Sequence, residues 1–153
     1  MNIIRKIFNL INNGPWRGAG ILLGTQDRKG QWHVWLGKRT GRPQAGTWSI
    51  LGGRSEKSDK SPLDTAIREA TEEANLSRYP IDREAIGQRE VFSCSTPVYV
   101  WSTYFMVIEN PDLEPIPRGK DGREFSEQRW FPANALPDNL HTFVAQTVKK
   151  ACG

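Results

Sequence analysis

The pattern of hydrophobic and polar residues separates an N-terminal segment from the rest of the chain. In residues 1–14, isoleucine and phenylalanine recur at helical spacing, and Asn13-Gly14-Pro15 is a typical helix stop. The spacing predicts a short amphipathic helix. We expect its apolar side to pack against the domain or against a second copy in a homodimer. Because Arg5 and Lys6 are basic, a membrane surface is a less favoured alternative.

The middle of the chain has the pattern of a β-sheet. Two apolar segments rich in β-forming residues flank the polar turn Gln26–Gly30, and they predict a hairpin. Other segments show short apolar runs or an alternation with a period of two residues. The predicted strands are Gly18–Gly24, Trp32–Leu36, Trp48–Leu51, Glu84–Cys94, Pro97–Ile108 and the end of Arg123–Phe131.

A strong helix signal lies between the predicted strands, in Ser61–Leu76. Ser61 can cap the helix, Pro62 suits the first helical position, and Asp64 can complete a capping box. Asn75 tolerates the left-handed conformation that often closes a helix. The predicted buried stripe consists of Leu63, Ala66, Ile67, Ala70 and Ala74.

A second amphipathic helix closes the chain. Its apolar positions are Leu140, Phe143, Val144, Thr147 and Val148. Because strands and helices follow one another in mixed order, we predict an α+β fold in which a mixed β-sheet is flanked by helices.

Length and composition limit the class of protein. The 153 residues, of which 37% are hydrophobic and 25% charged, predict a single domain over 1–153. No apolar run is long enough for a membrane span. The two cysteines, Cys94 and Cys152, are far apart, which excludes a disulfide framework and a four-ligand zinc site and favours the reducing cytoplasm.

The charge of the chain is weakly basic, with a formal net charge of +4. Lysine and arginine are spread along the chain and form no single block. This balance tolerates polyanionic partners such as nucleotides. We do not expect nucleic acid as a partner, because the sequence has no aromatic RNA-binding pattern.

Three carboxylates lie on one face of the predicted helix. Glu69, Glu72 and Glu73 stand at i, i+3 and i+4, and like charges at this spacing cost about 0.2–0.5 kcal/mol per pair. A solvated acidic face relieved by Arg68 is one explanation. The other is a divalent cation, since Mg²⁺ prefers oxygen ligands. The preceding pair Gly52-Gly53 favours the cation, because glycines allow close approach of the backbone.

This arrangement resembles the signature of the Nudix hydrolase family. The matching residues are Gly53, then Arg68-Glu69-Ala70-Thr71-Glu72-Glu73, and Leu76. Gly46-Thr47-Trp48 and Glu124–Phe131 are also similar to family members. Asn75 replaces a glycine, and Leu51 replaces a common proline. One residue is inserted before Arg68, so the first acidic position is either Asp59 or, counted backwards, Lys60.

The resemblance implies an α-β-α sandwich and the hydrolysis of a nucleoside diphosphate linked to another moiety. It implies Mg²⁺, with Mn²⁺ as an alternative, held by Glu69, Glu72, Glu73 and a backbone carbonyl of Gly52 or Gly53. The catalytic candidates are the possible bases Glu72, Glu124 and Glu127, together with Arg68, which would pair with a carboxylate of the signature.

Substrate-binding candidates flank the expected cleft. Lys38, Arg39 and Arg54 could hold phosphate oxygens, with plain surface charge as the alternative. Trp48, another tryptophan or Tyr99 could stack on a nucleobase, with core packing as the alternative. We expect a nucleoside triphosphate or modified nucleotide as substrate. The alternative substrates are a dinucleoside polyphosphate, a nucleotide sugar and a capped RNA. A further alternative is a non-catalytic module that binds a nucleotide or a protein partner.

Overall fold

The computed structural model of the protein describes residues 2–42 and 44–153. Met1, the first residue of the predicted N-terminal segment, and Pro43 lie outside the described residues. The elements in chain order are α1 (Ile3–Asn13), β1 (Trp16–Gln26), β2 (Trp32–Arg39), β3 (Trp48–Ser49), β4 (Leu51–Arg54), α2 (Pro62–Glu73), α3 (Arg83–Gly87), β5 (Glu90–Ser95), β6 (Tyr99–Val107), β7 (Phe125–Pro132) and α4 (Val144–Cys152).

Seven strands form one mixed sheet in the described residues, which confirms the predicted fold class. The order along the main path is β3-β2-β1-β6-β5. The central strand β1 pairs in parallel with β6, and antiparallel with β2 and β4. Strand β7 adds to β2. The β1–β2 hairpin that the sequence predicts is therefore the centre of the sheet.

Helices cover both faces of the sheet. The buried stripe of α2 packs with Ile21, Leu23 and Leu51 on one face, and Ala66, Ala70 and Ala74 are fully buried there. On the other face, Val144 and Val148 of α4 complete a second apolar cluster. Because alanine side chains are short, the α2 backbone lies close to the strands, and this brings its carboxylates against β4.

Helix α2 begins as predicted but ends differently. The Ser61 hydroxyl accepts a hydrogen bond from the Asp64 backbone N–H, while the Asp64 carboxylate accepts one from Lys60 N–H, one residue before the expected Ser61. The left-handed closure predicted at Asn75 is wrong. Ala74 is extended instead and forms a β-bridge with Arg118, a pairing that requires extended backbone.

Two predicted strands have different boundaries in the structure. The segment Trp48–Leu51 is interrupted, so that β3 pairs with β2 while β4 pairs with β1. The first half of Glu84–Cys94 is the short helix α3, because the Asp82 side chain caps it by accepting a hydrogen bond from Ala85 N–H. Helix α4 starts at Val144, because Phe143 has a φ of +69°.

The N-terminal helix α1 forms as predicted, capped by the Asn2 side chain. None of its residues is buried, so the expectation that it packs against the domain is wrong. Its isoleucines and Phe8 are exposed, Leu10 is half-buried, and Lys6 lines a cavity of the domain. In residues 2–42 and 44–153, no helix is long and apolar enough to cross a membrane.

Candidate active site

The carboxylate of Glu73 is the most deeply buried charge-bearing group of the site. Its residue is 1% exposed, and Oε1 accepts a hydrogen bond of 2.7 Å from the backbone N–H of Gly52. Oε2 is buried and has no hydrogen-bond partner among the described residues. Burial raises the pKa of Glu73 to about 9, although the Gly52 N–H acts against the shift. A carboxylate in this setting requires either a proton or a cation.

Glu69 lies against the second glycine of the pair. A Cβ at Gly53 would lie 2.5 Å from the Glu69 carboxyl carbon and 2.7 Å from each carboxylate oxygen. Any other residue at position 53 would therefore displace Glu69. Burial also raises the pKa of the Glu69 carboxyl, and the charge of Glu124 adds a smaller contribution. The glycine pair thus brings one strand into contact with two carboxylates.

Arg68 is the cation that faces this acidic cluster. Its Nη1 lies 3.1 Å from Glu69 Oε1 and 3.3 Å from Oε1 of the partly exposed Glu72. Within the described residues, no group of three or more His, Cys, Asp or Glu side chains has the arrangement of a metal site. In this conformation, the guanidinium balances the charge of Glu69 and Glu72, while Oε2 of Glu73 has no hydrogen-bond partner among the residues that the structure describes.

Asp59 holds Arg68 from the other side. The side chain of Asp59 is 6% exposed, and its two oxygens accept hydrogen bonds from Arg68 Nε at 3.1 Å and Nη2 at 2.8 Å. Thr65 Oγ1 and the Glu56 backbone N–H also donate to it. The guanidinium keeps the pKa of Asp59 well below its usual range. Of the two residues that the sequence left open, Asp59 contacts Arg68, and Lys60 is exposed.

A cavity of about 730 Å³ opens beside the glycine pair. Gly52 and Gly53 line it together with Glu124, the last residue of a single 3-10 turn at Gly122–Glu124. Five aromatic residues form much of the remaining wall: Trp16, Phe92, Tyr99, Trp101 and Phe143. The volume falls within the range of pockets that bind small molecules.

Stacked rings form one wall of the cavity. The Trp16 ring stacks with Tyr99, with centroids 5.1 Å apart, and with Trp101, at 6.1 Å, and in both pairs the planes are nearly parallel. The indole N–H of Trp101 donates to Thr103 Oγ1 at 2.7 Å, so the polar atom of this ring is satisfied. A Cβ at Gly18 would lie 2.5 Å from Trp16, so glycine is needed there to admit the ring.

Two loop residues at the cavity have backbone conformations that are rare outside glycine. Gln44 has a φ of +61° and Phe143 a φ of +69°. Phe143 stacks on Phe92 at 4.8 Å, and Gln44 Nε2 donates to Thr142 Oγ1 at 2.9 Å. Strain of this kind is often retained at binding sites, where the surrounding contacts maintain it.

The structure places only some of the predicted substrate-binding residues at the cavity. Arg39 lines the cavity, and its buried Nε has no hydrogen-bond partner in the described part of the chain. Lys38 and Arg54 do not line it, and the Arg54 carbonyl accepts a hydrogen bond from Arg68. Trp48 is 5% exposed and packs edge-on against Phe131, away from the cavity. Of the predicted ring platforms, the structure brings Tyr99 and Trp101 to the cavity and leaves Trp48 in the core.

The structure likewise places only some of the candidate bases at the cavity. Glu124 lines the cavity beside the glycine pair. Glu127 lies on β7, outside the cavity, where its carboxylate is 3.3 Å from Arg129. Glu72 contacts Arg68 at the end of α2. Of the three candidate bases, Glu124 is the one that lines the cavity.

Several residues of the cavity were not predicted from the sequence. They are Lys6, Gln44, Phe92, His141, Thr142 and Phe143. They come from four separate segments, and Gln44 and Phe143 depend on left-handed backbone that the residue types did not indicate. A helical pattern assigned Phe143 to the buried face of α4, whereas it lies outside the helix, partly exposed.

A family model described as the NUDIX domain matches residues 14–151. The chain belongs to the NUDIX domain family. A protein of Mycobacterium tuberculosis, provisionally named 8-oxo-dGTP diphosphatase 3, is 33% identical over 129 residues, or 82% of this chain. The chain spans about half the length, 56%, of that NUDIX relative.

Solved NUDIX structures share the fold. The NUDIX domain of Shewanella oneidensis NrtR, solved with ADP ribose, has a TM-score of 0.69 at 16% identity and covers 99% of this chain and 97% of that one. A MutT/nudix family protein of Enterococcus faecalis has a TM-score of 0.68 at 19% identity, covering 97% of this chain and 68% of that one. At these identities, the likeness concerns the fold.

The Asp59–Arg68 pair should stabilise the NUDIX domain. We expect Asp59→Asn to lower the free energy of unfolding by about 2 kcal/mol at pH 7, since hydrogen bonds to a charged group are lost from a largely buried pair. Urea denaturation measures this change in the free energy of unfolding. Glu56→Gln is the matched control, because Glu56 contacts the same arginine at 3.3 Å from an exposed position and should cost less than about 0.5 kcal/mol.

The pH dependence gives this prediction a second check. Because the pKa of Asp59 is lower in the folded state than its usual value of 3.8, the carboxylate stabilises the fold fully above that value. The contribution is lost as the pH falls below it. The difference between wild type and Asp59→Asn should therefore shrink below pH 3.8, and a difference that stays constant there would contradict this account.

Proposed function

We propose that this chain is a divalent-cation-dependent hydrolase that cleaves the diphosphate linkage of a nucleotide. The observation that carries the proposal is Oε2 of Glu73, which is buried beside the glycine pair and has no hydrogen-bond donor within residues 2–42 and 44–153. Membership of the NUDIX family supports it. A buried carboxylate oxygen without a donor fits a cation ligand better than a solvated surface.

The residues present fit Mg²⁺, with Mn²⁺ as the alternative. Glu69, Glu72 and Glu73 supply the oxygen ligands that these hard cations prefer, and a backbone carbonyl of Gly52 or Gly53 would add another. When bound, the cation would offset the negative charge of the phosphates and orient them. Since Asp59 holds Arg68 independently, the guanidinium can release Glu69 and Glu72 and remain beside them.

The chain's own residues would act as follows. Glu124, at the cavity wall, would accept the proton of the attacking water, with Glu72 as the second candidate. Arg39 would bind a phosphate oxygen through the Nε that has no partner in the described structure. Arg68 would position the carboxylates. Catalysis of this type depends mainly on positioning and charge stabilisation.

The cavity favours a substrate with a planar ring. Its aromatic walls suit a nucleobase, since ring stacking adds to the burial of apolar surface. We infer a nucleoside triphosphate or modified nucleotide, which the name of the Mycobacterium relative supports. A nucleotide sugar is the second candidate, favoured by the ADP ribose bound to the NrtR domain. We expect the reducing cytoplasm as its location, because Cys94 and Cys152 are both free.

A substrate panel tests the proposed function. With Mg²⁺, the protein should hydrolyse at least one nucleotide of a panel that includes 8-oxo-dGTP, dGTP, ADP ribose and a dinucleoside tetraphosphate. It should hydrolyse tripolyphosphate, which has no ring, at least about tenfold less efficiently, since a stacked base contributes about 1–3 kcal/mol. Product chromatography measures the hydrolysis of the nucleotides and of tripolyphosphate. Nucleotide binding without any hydrolysis would identify a non-catalytic module instead.

Replacing Glu73 should distinguish a role in binding the cation from a role in maintaining the fold. We expect Glu73→Gln to reduce kcat by about 100-fold or more, as for loss of one preorganised electrostatic group. The amide oxygen can still accept the Gly52 hydrogen bond, so the thermal unfolding temperature without cation should not fall. Added Mg²⁺ should stabilise wild type more than the variant. Equal stabilisation of both would contradict the role of Glu73.

The choice of base can be tested with two neighbouring glutamates. We expect Glu124→Gln to lower kcat by about 100-fold with little change in KM, as for a group that acts in proton transfer. Glu127→Gln is the matched control, since the structure places Glu127 outside the cavity, and its kcat should stay within about twofold of wild type. If Glu124→Gln were active and Glu72→Gln inactive, Glu72 would be the base.

A further inference from the structure

The N-terminal helix α1 divides cleanly into two sides. One side carries the polar residues Arg5, Lys6, Asn9, Asn12 and Asn13. The other side carries Ile3, Ile4, Ile7, Phe8 and Ile11, whose exposure ranges from 51% to 76%, and Leu10, at its border, is half-buried. Exposed apolar residues that occur singly are ordinary, whereas a continuous stripe of five along one helix marks an interaction surface.

The orientation of α1 shows that the domain itself does not cover this stripe. Lys6, on the polar side, lines the cavity, and no residue of the helix is buried. The polar residues of the helix are exposed as well, and its one half-buried residue is Leu10, so the domain leaves the apolar stripe uncovered. A helix that packs onto its own core buries this side instead.

Charge indicates which partner fits the stripe. Residues 1–26 contain Arg5, Lys6 and Arg17 and no acidic residue, and the first carboxylate of the chain is Asp27. Arg5 and Lys6 are exposed at the two borders between the polar and apolar sides of α1. Basic residues that flank an apolar stripe are typical of helices that lie in the interface of an anionic bilayer.

A second copy of α1 fits less well. Packing two stripes face to face would bring Arg5 and Lys6 of both copies together without a carboxylate nearby to balance them. The helix has 11 residues and is therefore about 16 Å long. One face of that length falls short of the roughly 800 Å² per partner of a stable protein interface.

We propose that α1 is an interfacial helix that docks the protein on an anionic lipid bilayer through its apolar side. The headgroups pair with Arg5 and Lys6, and the isoleucines and Phe8 enter the boundary of the acyl chains. Because Lys6 lies at the cavity, docking holds the cavity next to the bilayer surface. The proposal does not depend on the hydrolytic function.

Vesicle sedimentation with the full chain tests the proposal. Wild type should sediment with vesicles of 70% phosphatidylcholine and 30% phosphatidylglycerol, and much less with pure phosphatidylcholine. Ile7→Asn combined with Ile11→Asn should reduce partitioning at least about tenfold. Arg5→Gln should reduce it about fivefold at low salt. Asn9→Gln with Asn12→Gln, on the opposite side of the helix, is the matched control and should bind like wild type.

Each possible occupant of the apolar stripe predicts a different experimental result. Failure of wild type to sediment with the anionic vesicles, or equal sedimentation of the Ile7/Ile11 variant, would overturn the proposal. A stable dimer in analytical ultracentrifugation that the same variant dissociates would identify a second copy as the occupant. Activity of the Ile7/Ile11 variant on a soluble nucleotide should equal that of wild type, so the result is independent of the proposed hydrolase.

Discussion

The burial of the Glu73 carboxylate is the constraint on which the rest of the site depends. A carboxylate at this depth is costly, and a single N–H from Gly52 satisfies one of its oxygens. For that contact to form, the helix must lie close to β4, which explains the alanines on its inner face. Gly53 has no side chain because Glu69 occupies that space. The small residues of this region and its acidic residues are thus two parts of one arrangement.

The burial of the Glu73 carboxylate also explains the many contacts of Arg68. Two carboxylates beside the buried one raise the electrostatic cost, and Arg68 offsets it without entering the core. Asp59 contacts the guanidinium through both oxygens and is itself fixed by Thr65 and the Glu56 backbone. The inserted residue between Asp59 and Arg68 is therefore absorbed by the loop before α2. The loop is one residue longer than in the family signature, and the Asp59–Arg68 ion pair and the acidic face of α2 still form.

The sequence predicted the elements whose signals are local. Helix α2 could be predicted from its cap, its proline and its alanine stripe, and the central hairpin from two apolar segments and a turn. Helix α3 was missed because one side chain, Asp82, caps only five residues. The conformation of Phe143 was missed because its contact with Phe92 involves a distant strand. For α1, periodicity predicted an apolar side but could not show which way that side faces, because the pattern is the same for inward and outward packing.

The acidic cluster and the aromatic end of the adjoining cavity differ in the same respect. The acidic cluster comes from about twenty consecutive residues, Gly52–Glu73, so a short motif encodes its chemistry. The aromatic end is assembled from Trp16, Phe92, Trp101 and Phe143, which lie in four segments and meet through the parallel pairing of β1 with β6 and the stacking of a loop on β5. For the proposed hydrolase, substitutions in the aromatic end would change the preferred ring without disturbing the buried carboxylate. The proposed reaction class would then be readable in the sequence, whereas the proposed preference for a nucleobase would be set by tertiary contacts that no local pattern reports.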